Sequence, residues 1–245
     1  MKKIFLLIAL IFSSIMAEAQ GGSTYTPMAI GFGVSSVRGY TNVAQQNNTL
    51  AFNGNFTYYA TPFVPLTAEL QVGRLWGGSR ANDQYRREYV NNYQAFIIHG
   101  EIQLGELIDF SGSRFLDIVK DFYAGPGFGF LNNNVENQRT NLIASPGQPV
   151  GSYTFPGSDK SINPMASFRA GYEFKFYNEF DEPYLRLDIE YVHNFVYGSG
   201  LDGYNDPPNI FKHEHSDSYR QITVGIKYSF GEVKNYMKSI KNAYY

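Results

Sequence analysis

Residues 221–230 read Gln221-Ile222-Thr223-Val224-Gly225-Ile226-Lys227-Tyr228-Ser229-Phe230. Every second side chain is apolar and those between are polar or missing, which is the period of a β-strand with one apolar face. The same alternation recurs upstream, at Met28–Val34, Leu50–Ala60, Thr67–Gly73, Phe96–Leu104, Ala124–Phe130, Ser167–Phe176 and Leu185–Tyr191. Eight such segments predict eight antiparallel strands.

Strand length separates the two folds that use this pattern. A soluble sandwich is built from strands of about 5 to 6 residues, whereas these run about 9 to 12, the length that crosses a bilayer at a tilt. The connections alternate as well: 38–48, 77–92, 132–163 and 196–218 are long and polar, and 61–66 and 178–183 are short. Long external loops and short periplasmic turns are the asymmetry of a membrane barrel. The expected fold is therefore all-β, an eight-stranded up-and-down transmembrane β-barrel with short periplasmic helices. Two aromatic girdles are expected, with Tyr58, Tyr59, Phe122, Tyr123, Phe174, Phe176, Tyr177, Tyr184, Tyr228 and Phe230 at the periplasmic ends and Trp76, Tyr93, Phe96, Phe130, Tyr191 and Phe195 at the other.

Composition narrows the classes further. Among 245 residues the formal net charge is -2, 17% are aromatic and 17% charged, and cysteine is absent. Without a basic excess, sequence-independent nucleic-acid binding is excluded; without cysteine, so are disulfides, thiolate metal sites and a lipid-modified N-terminal cysteine. Lys2 and Lys3, the apolar run Ile4–Met16 and Ala17-Glu18-Ala19 read as a signal peptide cut after Ala19. The expected organisation is a signal peptide at 1–19, a barrel at 20–231 and a C-terminal tail at 232–245.

The inward parity carries the charge. Glu69, Glu101, Glu173, Asp188 and Glu190 face Arg169, Lys175, Arg186 and Lys227, joined by His99, Gln71, Gln103 and Asn53. Eight strands enclose a lumen only wide enough for side chains, and buried charges must be paired, so a plugged barrel is expected and not a diffusion pore.

The final strand, with Thr223, Gly225, Tyr228 and Phe230, resembles the signal that the outer-membrane assembly machinery reads on bacterial barrels. With the signal peptide and eight strands, the chain is similar to small Bacteroidota outer-membrane barrels of the OmpA-transmembrane or OmpX-like size class. It departs from them in that Gly231–Tyr245 follow the signal. The resemblance implies contact with outer-membrane lipid, lipopolysaccharide and the assembly machinery. It also implies an accessory role in a larger envelope complex, such as the type IX secretion machinery.

Some residues break the pattern. Arg74 and His193 fall on the lipid-facing parity near the external end, where a long side chain snorkels to headgroups or lipopolysaccharide phosphate or a bulge flips parity. Pro126 inside a strand predicts a bulge or kink near Gly125–Gly127. His213 and His215 sit in a polar loop, lack the zinc-protease spacing and read as solvated; His193 with Ser199 is the acyl-hydrolase-like pair to weigh. No catalytic, cofactor or metal residue is assigned.

On the periplasmic side Ser113–Lys120 predicts a short amphipathic helix capped by Ser113 and placed over the barrel mouth. Val233, Tyr236, Met237, Ile240 and Tyr244 fall at helical spacing and form a candidate partner-binding face. The long external loop holding Asn132, Asn133, Asn134, Asn137 and Asn141 is a second candidate surface. The leading expectation is a non-enzymatic structural or accessory barrel that binds an envelope protein through its periplasmic helix and tail. Transport of a small apolar solute and lipid A modification are the alternatives.

Overall fold

The computed structural model describes residues 22–43, 45–79, 81–83, 87–110, 113–137, 156–198, 200–205 and 217–237. A short strand, β1 (Gly22–Tyr25), precedes β2 (Met28–Tyr40), β3 (Gln46–Thr61), β4 (Val64–Gly78) and β5 (Glu88–Gly100), which continues as β6 (Ile102–Gln103). Helices α1 (Leu104–Leu107) and α2 (Arg114–Val119) lead to β7 (Phe122–Asn137), β8 (Lys160–Tyr177), β9 (Pro183–Val196), β10 (Ser218–Phe230) and β11 (Lys234–Met237). Each long strand pairs antiparallel with its sequence neighbours, and β10 pairs with β2 from Ser218 opposite Tyr40 to Phe230 opposite Met28. Eight strands thus close into a barrel with no free edge, the sheet form in which every backbone group within a lipid layer is satisfied.

The outer wall follows the sequence parity. Ile30, Leu70, Phe128 and Ile222 are 59, 64, 54 and 58% exposed, and apolar residues of their parity cover every barrel strand. A belt of this extent far exceeds the few hundred Å² of apolar patch that a water-facing monomer shows, so lipid is the solvent it suits. On β7 the outward face runs Phe122, Ala124, Pro126, Phe128 and Phe130, then turns polar at Asn132, Asn134 and Glu136. The strands, 13 to 18 residues long, therefore outrun the bilayer at the long-loop end. Asn132, Asn133 and Asn134, expected in a loop, are ladder residues paired with β8.

The girdle assignment needs correction at three tyrosines. Tyr59, Tyr93 and Tyr123 are buried and point inward, because each sits on the odd, lumen-facing parity of its strand. The irregularity expected at Pro126 lies across the ladder from it. Gly125, Pro126 and Gly127 stay in register with Arg169, Phe168 and Ser167 of β8. On the other side the ladder to β5 breaks between Gly100 and Ile102, since proline offers no N–H there.

The tail differs from expectation. Residues 234–237 form β11, paired with β1 from Gly22 opposite Met237 to Tyr25 opposite Lys234, and no helix runs through them. A short segment is a marginal helix by itself, and β1 offers it backbone partners. Tyr236, expected on a helical face, is instead a strand residue with Ser23 as its register partner. Ile240 and Tyr244 lie outside the described residues. α2 forms as expected, and the Ser113 hydroxyl accepts from the Leu116 N–H. It sits at the outer rim, however, where the Tyr172 hydroxyl donates to Ile118 O at 2.8 Å and Phe115 and Ile118 are left exposed.

At Gly125 a Cβ would lie 2.0 Å from Gly100 O and 2.7 Å from Glu101 Cα, both backbone, whereas at Gly54 it would meet nothing within 4 Å. Gly125→Val is therefore expected to cost about 1–3 kcal/mol or more and to reduce the heat-modifiable folded band on gels. Gly54→Ala should leave that band unchanged.

Candidate functional site

The lumen divides into two layers. In the layer nearer the short turns, the carboxylates and cations that the period turns inward meet across the barrel. Arg169 Nη1 donates to Glu69 Oε2 at 2.9 Å and lies 3.4 Å from Glu190. His99 bridges Glu101 and Glu69, through Nδ1 and, at 3.5 Å, Nε2. Glu173 is the hub of a second cluster, with Arg186 at 3.4 Å, Lys227 at 3.6 Å and Lys175 at 3.9 Å. It also accepts hydrogen bonds from the Tyr59 hydroxyl at 2.9 Å and from Gln103 at 3.1 Å. Lys227 pairs with Asp188 at 2.8 Å. All ten titratable residues that the sequence assigned to the lumen are brought together, and Glu69, Glu173, Arg169 and Arg186 are at most 2% exposed.

Three participants escaped the sequence reading. Tyr59 and Tyr123 were given to the lipid girdles, and the Tyr123 hydroxyl instead donates to Glu190 at 3.4 Å. Asp121, placed in a connection, receives Lys175 at 2.7 Å. Their odd positions were the available signal. Of the residues in the expected assembly signal, Thr223 points inward to Ser35 at 2.8 Å, while Tyr228 and Phe230 face outward from the last strand.

The layer nearer the long loops is apolar. Val37, Leu75, Tyr89, Tyr93, Ile97, Leu131, Met165 and Tyr219 form one buried cluster, and Leu201 and Tyr204 drop into it from the connection after β9. That connection is held by polar bonds. Asn91 donates to Leu201 O at 2.9 Å and to Asn133 at 2.6 Å, Asn133 donates to Asn163 at 2.9 Å, and Asn163 donates to Tyr197 O at 2.9 Å. Asparagines from three adjacent strands thus lock an inward-folded plug. Within the charged layer a cavity of about 30 Å³, walled by Glu69, His99, Glu101, Arg169, Asp188 and Glu190, has room for about two water molecules.

The short-turn mouth is crossed by the β1–β11 ribbon. Tyr25 donates to Ala60 O and Thr26 to Pro183 O, both at 3.3 Å, and the Tyr236 hydroxyl donates to Glu106 at 2.8 Å. Tyr236, expected to face a partner, packs instead on Tyr25, Ala29 and Tyr59 of its own barrel; Val233 remains exposed. Beside the ribbon opens a cavity of about 420 Å³ with Phe63, Phe110, Tyr177 and Phe180 in its wall and Lys175 and Arg186 at its inner side.

Arg74 and His193 both stay on the outer face, without a parity flip. Arg74 Nε donates to Asn92 at 3.0 Å, and His193 stacks between Tyr40 and Phe195. Ser199, His213 and His215 lie outside the described residues.

No family model matches the chain, and no curated protein matches it. Among solved structures, it is similar to Neisserial surface protein A at 11% identity and a TM-score of 0.44, over 86% of this chain and 100% of that one. It is also similar to Ail of Yersinia pestis, solved with the heparin analogue sucrose octasulfate, at 12% and 0.46, over 84% and 99%. A major outer membrane protein from Thermus thermophilus aligns at 12% and 0.39, over 82% and 99%. The likeness is one of barrel shape.

Two tests follow from the site. Arg169→Ala leaves Glu69 and Glu190 without their shared cation and is expected to cost about 3–5 kcal/mol, read as a lower urea midpoint in detergent micelles. At the plug, burial first and then Asp202 push the Asp217 carboxyl up to about 8 from 3.8, against the opposing pull of the Leu201 N–H. A folded-state value raised this way favours the docked plug below about pH 4 and loses that favour as the pH climbs from about 4 to about 8. Hydrogen exchange at the Leu201 amide should accelerate over that range beyond its intrinsic rise, and Asp217→Asn should abolish the extra dependence.

Proposed function

We propose that the chain works in a bacterial outer membrane as a sealed, non-enzymatic barrel, a structural or accessory subunit whose short-turn end faces the periplasm and holds a partner envelope protein. The observation that carries this reading is the doubly filled lumen, an apolar plug above a charged layer in which a cavity of about 30 Å³ is left. The leader and the lipid-suited outer wall support the location. The face offered to a partner is the rim built by α2, the β8–β9 turn and the β1–β11 ribbon, where Phe115, Phe180 and Val233 stand exposed. The resemblance to Bacteroidota barrels makes a secretion assembly the partner we favour.

The alternatives find less support. A solute path would have to displace both lumen layers. Lipid A chemistry needs an accessible base beside a nucleophile or an acid, whereas His99 is sealed against Glu69 and Glu101 and His193 stands between two aromatic rings with the Tyr191 hydroxyl at 3.3 Å.

Liposomes carrying the purified barrel are expected to swell no faster than empty ones in sugars or small apolar solutes. In crosslinked pull-downs, truncation after Phe230 should lose the neighbours that the full chain captures, while the heat-modifiable band persists. Measurable flux, or unchanged capture by the folded truncation, would overturn the proposal.

A further inference from the structure

The apolar belt is interrupted at one level by cations. On the outward parity of three adjacent strands, His193 of β9 is the register partner of Arg220 of β10, and Arg220 is the register partner of Arg38 of β2. Arg38 in turn stands opposite Asn48 of β3. One strand further round, Arg74 of β4 receives Thr49 of β3 on its carbonyl and is held by Asn92 of β5. The level is the upper margin of the lipid wall: Val34, Leu50, Val72, Ile189 and Ile222 lie just below it, all exposed.

Arg38 and Arg220 form a directly opposed like-charge pair, an arrangement that destabilises an antiparallel ladder. No carboxylate among the described residues offsets it. None of Arg38, Arg74 and Arg220 has a carboxylate partner among them, and the enclosed Nε of Arg38 has no acceptor. The two guanidinium groups share one aromatic ring instead, with their Cζ atoms 5.9 and 5.2 Å from the centroid of Tyr40. Carboxylates are plentiful in this chain, yet the described ones are absorbed by the lumen and the rims while this row is left with none.

We propose that the row formed by Arg38, Arg220 and Arg74, with Tyr40 and His193 at its centre, is a binding site for a phosphorylated lipid headgroup of the outer leaflet. Its acyl chains lie against the belt immediately below. The occupant follows from the position, because the row is continuous with the lipid-facing surface and stands where headgroups meet hydrocarbon. Guanidinium forks match phosphate oxygens bidentately, and several cations spread across adjacent strands suit a headgroup bearing more than one phosphate. Asn48, Asn92 and the Tyr40 hydroxyl add neutral polar groups along the same line. The site lies at the opposite end from the proposed partner face and rests on that reading only for the outer-membrane location and the orientation.

The test excises copolymer discs from vesicles of phosphatidylcholine containing a minor fraction of bisphosphorylated lipid A, then measures the lipid A recovered per folded barrel. Wild type should be enriched over the bulk ratio. Each Arg→Gln exchange should lower affinity on the order of fivefold, so that the Arg38→Gln, Arg74→Gln and Arg220→Gln triple variant returns to the bulk ratio. All three side chains are outside the core, and heat modifiability of the variant checks its fold; Lys160→Gln, elsewhere on the outer wall, should change nothing. Inorganic phosphate at millimolar concentration should not displace the lipid. Equal enrichment by the folded triple variant, an equal loss with Lys160→Gln, or displacement by inorganic phosphate alone would overturn the assignment.

Discussion

Closure of β10 onto β2 is the constraint from which the other features descend. Within a hydrocarbon layer an unpaired N–H or C=O has no water to turn to, so the sheet must return to its first strand. The thirteen consecutive pairs from Ser218–Tyr40 to Phe230–Met28 accomplish this. Once the ring is closed, the two-residue period leaves no freedom of placement. One parity meets lipid, and the other is confined to a space that eight strands make too narrow for a channel.

That confinement explains why the lumen has two kinds of filling. Charged residues crowd the layer bounded by β8 and β9, where Arg169, Glu173, Lys175, Arg186, Asp188 and Glu190 alternate with apolar outward neighbours. A carboxylate buried there is tolerable only with more than one cation or donor around it, and Glu173 gathers three cations and two neutral donors. Nearer the long loops the inward positions carry Leu75, Ile97, Leu131 and Met165, which need an apolar lid, and Leu201 supplies it. Such a filling leaves the two rims and the outer wall as the surfaces open to other molecules.

The two rims differ in build. At the short-turn end, β1 and β11 tie the two ends of the described chain together across the mouth, and Tyr236 anchors the ribbon to Glu106. At the other end the outward face changes from hydrocarbon to arginine within one or two residues on several strands.

Period, parity and pairing of charges were legible in the sequence because each is a local property repeated along the chain. Eight strands, the lipid-facing apolar set and the ten lumen residues could be read from alternation alone, and Ser113 marked α2 by its capping chemistry. At Tyr59, Tyr93 and Tyr123 residue type points to a lipid girdle and parity to the lumen, and parity decides, because the pleat fixes the side on which each ring lies. The strand at 234–237, the inward plug carrying Leu201, the carbonyl that Ile118 offers to Tyr172, and the opposition of Arg38 and Arg220 were decided by tertiary structure. Each depends on segments far apart in the chain, 54 residues in the case of Ile118 and Tyr172. Such meetings are set by strand register and by the small circumference of the ring, and the period of a single strand does not encode them.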